Sequence, residues 1–158
     1  MSNQRKFLSV LLLLVVSLTL YGCVSSCGFE TGARVTPAFV AASGARVYVH
    51  PPKDKTLADV LESNIDMELV KLGFTISEDP NSCDLLAYYS YSYDWNQPEY
   101  IRDFMIVFKP YPGDNPALMA SASCYQRCSG SFTKGDGREV HEAFDALREE
   151  FNSASKGE

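Results

Sequence analysis

Cysteine is the residue type in this chain with the most chemical options. There are five: Cys23, Cys27, Cys83, Cys124 and Cys128. A thiolate is a nucleophile and a soft metal ligand, and a thiol is half of a disulfide. Cys124-Tyr125-Gln126-Arg127-Cys128 leaves three residues between its cysteines. Thioredoxin-like redox motifs leave two, and a structural zinc site needs a second pair that the sequence lacks. A disulfide is therefore the expected state. The two histidines, His50 and His141, have no Ser or Cys partner in a nucleophile motif, so solvated or capping roles are expected. Gly130-Ser131 lacks the flanks of a nucleophile elbow. Lys134-Gly135-Asp136-Gly137 reads as a turn into a helix, not as a phosphate loop. No catalytic residue, metal set or cofactor motif is expected from these patterns. What remains is a stripe, in which Tyr89, Tyr91, Tyr93 and Trp95 alternate with Ser90, Ser92 and Asp94. Alternate residues of a strand share a face, so the four rings stand side by side. Tyr and Trp combine broad rigid area with a polar tip, which suits contact with protein or glycan. Turned away from the helices, the stripe is a binding surface; turned towards them, it belongs to the core.

The N-terminal residues set where such a surface would work. Arg5 and Lys6 form a basic head, and an apolar run over 7–20 is broken only by Ser9 and Ser17. Its ~14 residues fall short of the ~20 that span a bilayer, and the pattern is that of a secretory signal peptide. The ending Leu20-Tyr21-Gly22-Cys23 resembles the lipobox of bacterial lipoproteins. That resemblance implies cleavage before Cys23 and acylation of its sulfur, the chain being held to the membrane by several acyl chains. Val24 follows the cysteine where an Asp would favour the inner membrane, so the outer membrane, periplasmic face, is expected.

About 136 residues follow the leader, one domain's worth. Loss of Arg5 and Lys6 takes the formal charge from −6 to −8. That balance excludes nucleic acid as a natural partner and argues against electrostatic docking to anionic lipid. A protein partner in the envelope is the expectation that fits.

The elements that would position these residues are legible in the apolar pattern. Residues 23–44 read as a lipidated N-terminus and tether rich in Gly and Ser, reaching up to ~60 Å, although Val35, Phe39 and Val40 are apolar enough for part of it to lie on the domain. A strand is expected over 45–50. A helix follows from Thr56, with Asp59 as a short capping box. Its stripe is Leu57, Val60, Leu61, Ile65, Leu69 and Leu72, and Gly73 closes it. Strands are expected over 74–77, 84–95, 102–109 and 117–126, the last with small residues in its middle that leave room for a helix. Val140, Phe144, Leu147 and Phe151 mark a final helix, with Asp136 as its N-cap and 152–158 as a disordered tail.

The order strand-helix-strand-strand-strand-strand-helix predicts an α+β fold. It is a two-layer sandwich with a mixed, mostly antiparallel sheet and two helices on one face, over residues 45–151. The first strands would run parallel around their crossover helix and the next three would form an antiparallel meander. Strands starting at 84 and 117 then run parallel, which sets Cys83 at the far end of the sheet from Cys124 and Cys128. With Cys23 lipidated, Cys27–Cys83 and Cys124–Cys128 are the pairings that fit this topology. The helix ending in Leu72-Gly73-Phe74, the Cys83-Asp84-Leu85-Leu86 strand start and the closing 140–151 helix resemble a large uncharacterised family of outer-membrane lipoproteins. The lipopolysaccharide-assembly lipoprotein is similar in general layout. No functional residue carries over from that resemblance; the lipobox, the acidic charge, the absence of catalytic motifs and the aromatic strand lead to the expectation of a non-enzymatic, lipid-anchored module for interaction or assembly, facing the periplasm. The alternative is a lipoprotein that binds glycan, peptidoglycan fragment or lipid on an aromatic sheet face.

Overall fold

The computed structural model describes residues 28–94, 97–112, 117–126 and 137–156. The Leu20–Cys23 motif, Cys27, Trp95, Cys128 and Asp136 lie outside the described residues. Strand β1 (Phe29–Val35) leads into a short helix α1 (Pro37–Ala41) and strand β2 (Arg46–His50). Helix α2 (Ala58–Lys71) and the two-residue β3 (Thr75–Ile76) follow, then a 3-10 turn at Pro80–Ser82. The long strands β4 (Leu85–Asp94) and β5 (Gln97–Pro110), strand β6 (Ala120–Gln126) and helix α3 (Arg138–Lys156) complete the chain. The sheet order is β1-β6-β5-β4-β2-β3. β2 pairs in parallel with β3 and β4, while β4, β5, β6 and β1 pair antiparallel in turn. The fold is an α+β two-layer sandwich, and the crossover and meander expected from the sequence are both present.

Period two decides which side of each strand is dry. Leu85, Ala87 and Tyr89 of β4 stand opposite Phe108 and Ile106 of β5 or beside Val47 of β2, all buried. From α2 come Leu61, Ile65 and Leu69, and from α3 Val140, Ala143, Phe144 and Leu147. Ala120 and Ala122 face the same layer from β6, where α3 lies across β1 and β6. Small side chains there admit the helix close to the strands, as the sequence suggested. Two glycines make the geometry possible. Gly73, at φ +89°, ends α2, with Gly73 N–H donating to Val70 O and Phe74 N–H to Leu69 O, a Schellman pair. Gly137, at φ +80°, starts α3 against Asn64 of α2; a Cβ there would fall 2.2 Å from the Asn64 amide nitrogen.

Four expectations need correction. Residues 29–44 are not tether: β1 is an edge strand on β6, and Phe39 of α1 is fully buried. The sheet therefore has six strands, and a strand and a helix precede the expected order. Helix α3 runs to Lys156 rather than fraying at 152. Thr56 does not cap α2: its N–H and hydroxyl turn back to Asp54 Oδ1 at 2.9 and 2.6 Å, and the Leu57 N–H is taken by the Tyr91 hydroxyl at 3.1 Å. A distant strand does the capping, which local sequence does not encode. Val60, counted in the stripe, is exposed.

One buried charge ties the helices together. Glu68 of α2 is 2% exposed. Its Oε1 accepts from Lys71 Nζ at 2.6 Å and His141 Nδ1 at 2.7 Å, and its Oε2 from Arg148 Nη2 at 2.5 Å. Burial by itself would raise the Glu68 carboxyl. The hydrogen bonds from Lys71 and His141, with the charges of Lys71 and Arg148, outweigh it and hold the group below the usual carboxylate range. A depressed folded-state pKa contributes stability that is present above the unfolded-state value and lost as pH falls through the folded one. Thermal unfolding followed by circular dichroism should therefore show Glu68→Gln lowering the melting temperature at pH 7, with the gap to wild type closing in acid. Phe39→Ala should cost about 3–5 kcal/mol in urea unfolding, the range for deleting a buried Phe. A cost near zero would restore 29–44 to the status of tether.

Candidate interaction surface

The three described rings of the stripe, Tyr89, Tyr91 and Tyr93, are turned inward. Tyr89 is 6% exposed, and its hydroxyl donates to Glu62 Oε1 of α2 at 3.0 Å. Burial, then the Glu62 carboxylate, pushes its pKa up. Tyr91 is half-buried; its hydroxyl donates to Asp54 O at 3.0 Å while accepting from Leu57 N–H. Tyr93 is half-buried beside it, with ring centroids 6.3 Å apart. These rings brace the start of α2 and the chain before it. The structure brings Tyr89, Tyr91 and Tyr93 together as predicted, but on the face the helices cover.

The opposite face has no helix on it among the described residues, and it carries the exposed rings. Tyr48 and His50 of β2 and Tyr88 of β4 adjoin there, His50 and Tyr88 stacked at 5.1 Å and Tyr48 edge-on to His50 at 6.4 Å. Lys109 Nζ lies 5.6 Å from the Tyr88 ring centre, in cation–π range. His50 Nδ1–H donates to Pro51 O at 2.9 Å, which leaves Nε2 as the acceptor in the neutral ring. Tyr88 is 37%, Met105 49% and Tyr125 40% exposed, and Ser90 and Ser92 lie between them. Ser92 Oγ donates to Asp103 Oδ2. The sequence reading expected only a solvated or capping role for His50 and singled out neither Tyr48 nor Tyr88. The shared period-two phase of the three was the available signal.

Two concavities mark this region. A cleft of about 430 Å³ is lined by residues 50–54 and 88–91, so it sits where β2 ends and the chain turns towards α2. A second, smaller groove of about 370 Å³ runs over Ser90, Ser92, Asp103, Met105, Ser123 and Tyr125. In the cleft Asp54 is held below the usual carboxylate range by the Thr56 side chain and then its backbone N–H. Among the described residues no group of three His, Cys, Asp or Glu side chains is placed to hold a metal ion. The chemistry on offer there is aromatic stacking, hydroxyl hydrogen bonding and a few separated charges.

Comparison with known proteins places the fold. No protein-family model matches the sequence, and no curated protein does. The crystal structure of a DUF4136 family protein from Bacteroides thetaiotaomicron superposes with TM-score 0.50 at 11% identity, over 80% of this chain and 96% of that one. A PelC dodecamer from Paraburkholderia phytofirmans gives TM-score 0.49 at 12% identity, over 75% and 94% of the two chains. At 11% identity the first is a likeness of fold alone.

The thiols are the remaining candidates. Cys83 and Cys124 are buried and free, while Cys27 and Cys128, their expected partners, are outside the described residues. Cys83 Sγ donates to Pro80 O at 3.1 Å, and burial raises its pKa. Burial, then the charges of Glu139, Glu142 and Asp103, pushes Cys124 up to about 12. Neither is a ready nucleophile at neutral pH. Iodoacetamide should leave both unmodified in the native protein, as read by mass spectrometry. Unfolding without reductant should expose both, whereas a disulfide at either would keep it unlabelled.

Proposed function

We propose that the chain is a lipid-anchored protein of the bacterial outer membrane, facing the periplasm, and that it works as a non-enzymatic interaction or assembly module. The observation that carries this reading is the uncovered sheet face, with Tyr48, His50, Tyr88, Met105 and Tyr125 on one side of a two-layer fold. A contiguous exposed surface of rings and a thioether, interleaved with serines, has the composition of a contact site. The lipobox at Cys23 supplies the attachment, and the acidic balance leaves the acyl chains to provide the membrane affinity.

A second reading has its own support. The cleft at residues 50–54 and 88–91 has the size of a small-ligand site, which suits glycan, peptidoglycan fragment or lipid headgroup. Muropeptides that shifted the amide resonances of 50–54 at millimolar concentration would favour it over protein contact.

Photo-crosslinking residues at positions 88 and 105 should yield discrete adducts with an envelope protein, and one at Glu149 on α3 should not. Equal yields from all three positions would sink the sheet-face assignment. Cys23→Ser should move the protein from the membrane fraction to the soluble one; retention would show that the leader has been misread.

A further inference from the structure

β4 outruns the strand beside it. On one side it pairs with β5 from Leu85 to Asp94; on the other it pairs with β2 only from Leu85 to Tyr88, opposite Val47 to His50. β2 stops because Pro51 and Pro52 follow His50, and neither has an N–H to give to a ladder. The chain then turns towards the helix layer, where the Tyr91 hydroxyl fixes it at Asp54 O and the Leu57 N–H. Among the described residues no strand takes over from β2, so the edge of β4 on that side has no partner from Tyr89 to Ser92. Four residues of strand are about 13 Å long.

The cleft of about 430 Å³ lies on this edge rather than on either face. Its lining takes Tyr88 and Ser90 from the open face and Tyr89 and Tyr91 from the covered one, with residues 50–54 closing its end. A strand edge presents backbone N–H and C=O groups at alternate residues, and a second extended backbone is the ligand whose groups match that repeat. The charges at the cleft favour an acidic one. The whole chain carries −6, yet Lys53 lines the cleft, Lys55 is exposed two residues on, and Lys109 Nζ lies 5.6 Å from the Tyr88 ring centre. The acidic side chain of the lining is Asp54, and its carboxylate accepts from the Thr56 N–H and hydroxyl.

We propose that the edge of β4 over Tyr89–Ser92 docks an extended, acidic segment of a protein partner, which joins the sheet as a strand in the place that β2 would fill if it ran on. This deepens the interaction-module reading and rests on it. Main-chain hydrogen bonds to β4 hold the segment, and they are indifferent to its sequence. Selectivity comes from its side chains. Those on the open-face side fall beside the stacked His50 and Tyr88 rings, and its carboxylates meet Lys53 and Lys109. β4 is already held along its other side by β5, so the edge is ordered before anything binds.

The probe is an acetylated, amidated hexapeptide of alternating Glu and Val, titrated into the mature protein in detergent micelles and followed by amide resonances and hydrogen exchange. Amides within 89–92 are expected to shift and to exchange more slowly. N-methylation of the peptide at one alternate set of residues should abolish binding and at the other set leave it, the signature of a strand paired on one edge. Lys53→Glu should weaken binding about fivefold, the effect of losing one exposed ion pair and gaining a repulsion. A Lys-Val hexapeptide that binds as well as the Glu-Val one overturns the acidic preference and with it the proposal. Shifts at Met105 and Tyr125 with 89–92 unmoved put the peptide on the sheet face, which overturns the edge site and leaves the interaction module standing. Amides of 89–92 already protected without peptide, in a protein that sediments as a dimer, give the edge to a second copy and overturn the proposal. Absence of peptide binding while crosslinks at 88 and 105 still form overturns the edge site alone; absence of both overturns the module as well.

Discussion

Phe39 has no solvent exposure and sits among three other rings, with centroids 5.1 Å from Phe74, 5.0 Å from Phe108 and 6.1 Å from Phe151. Those partners come from the end of α2, from β5 and from α3, so one side chain joins the N-terminal lead to every layer of the domain. Around it the backbone is tied as well: Thr36 N–H and hydroxyl both donate to Met119 O, at 3.0 and 2.8 Å. Burying one Phe supplies a few kcal/mol, enough to order a short lead whose strand also gains a full antiparallel ladder with β6. The six-stranded sheet, the position of α3 across β1 and β6, and the shortness of the lead after Cys23 all follow from that docking.

With β1 in place, the two sheet faces acquire different work. The covered face takes Phe, Ile, Leu and Ala, and it takes Tyr89, whose ring fills space beside Phe104 while its hydroxyl reaches Glu62. A phenol suits a site at the rim of a core, because the ring can be dry while the tip finds a carboxylate. The open face keeps the rings that no helix covers among the described residues, along with serines and the Ser92–Asp103 pair. Its aromatic end lies beside the start of α2, in the same region as the 430 Å³ cleft. A contact site placed there would be held by paired strands on both sides and would need little ordering on binding.

The two long helices are joined by a polar clamp set into an apolar seam. Glu68 is buried at the seam, and two cations and the His141 imidazole converge on it, with Asp145 taking the other arm of Arg148. Geometry of this kind costs desolvation and gives back hydrogen bonds, so its yield is register: α3 settles with His141 and Arg148, two turns apart, astride one carboxylate. Gly137 lets the helix start close to Asn64, which fixes the same register from the other end.

Much of this was legible in sequence, because periodicity is a local property. The α2 stripe, the Gly73 closure, the meander and the small residues of β6 were all readable, as was the strand phase that puts Tyr89, Tyr91 and Tyr93 on one face. Period two shows which residues share a face and not which face is dry; Phe104 and Ile106 across the ladder decided that. β1 was hidden because the alternation of Phe29, Ala33 and Val35 is short and interrupted at Thr31, in a stretch rich in Gly and Ser, and its place is fixed by β6 and α3. The α2 cap was hidden for the same reason, since Tyr91 is 34 residues from the N–H it serves. The sequence by itself determined the charge, the lipobox pattern and the helical and strand periods. Only the tertiary structure decided how many strands there are, which rings face water, and how short a lead joins the domain to Cys23, because each depends on contacts between residues far apart in the chain.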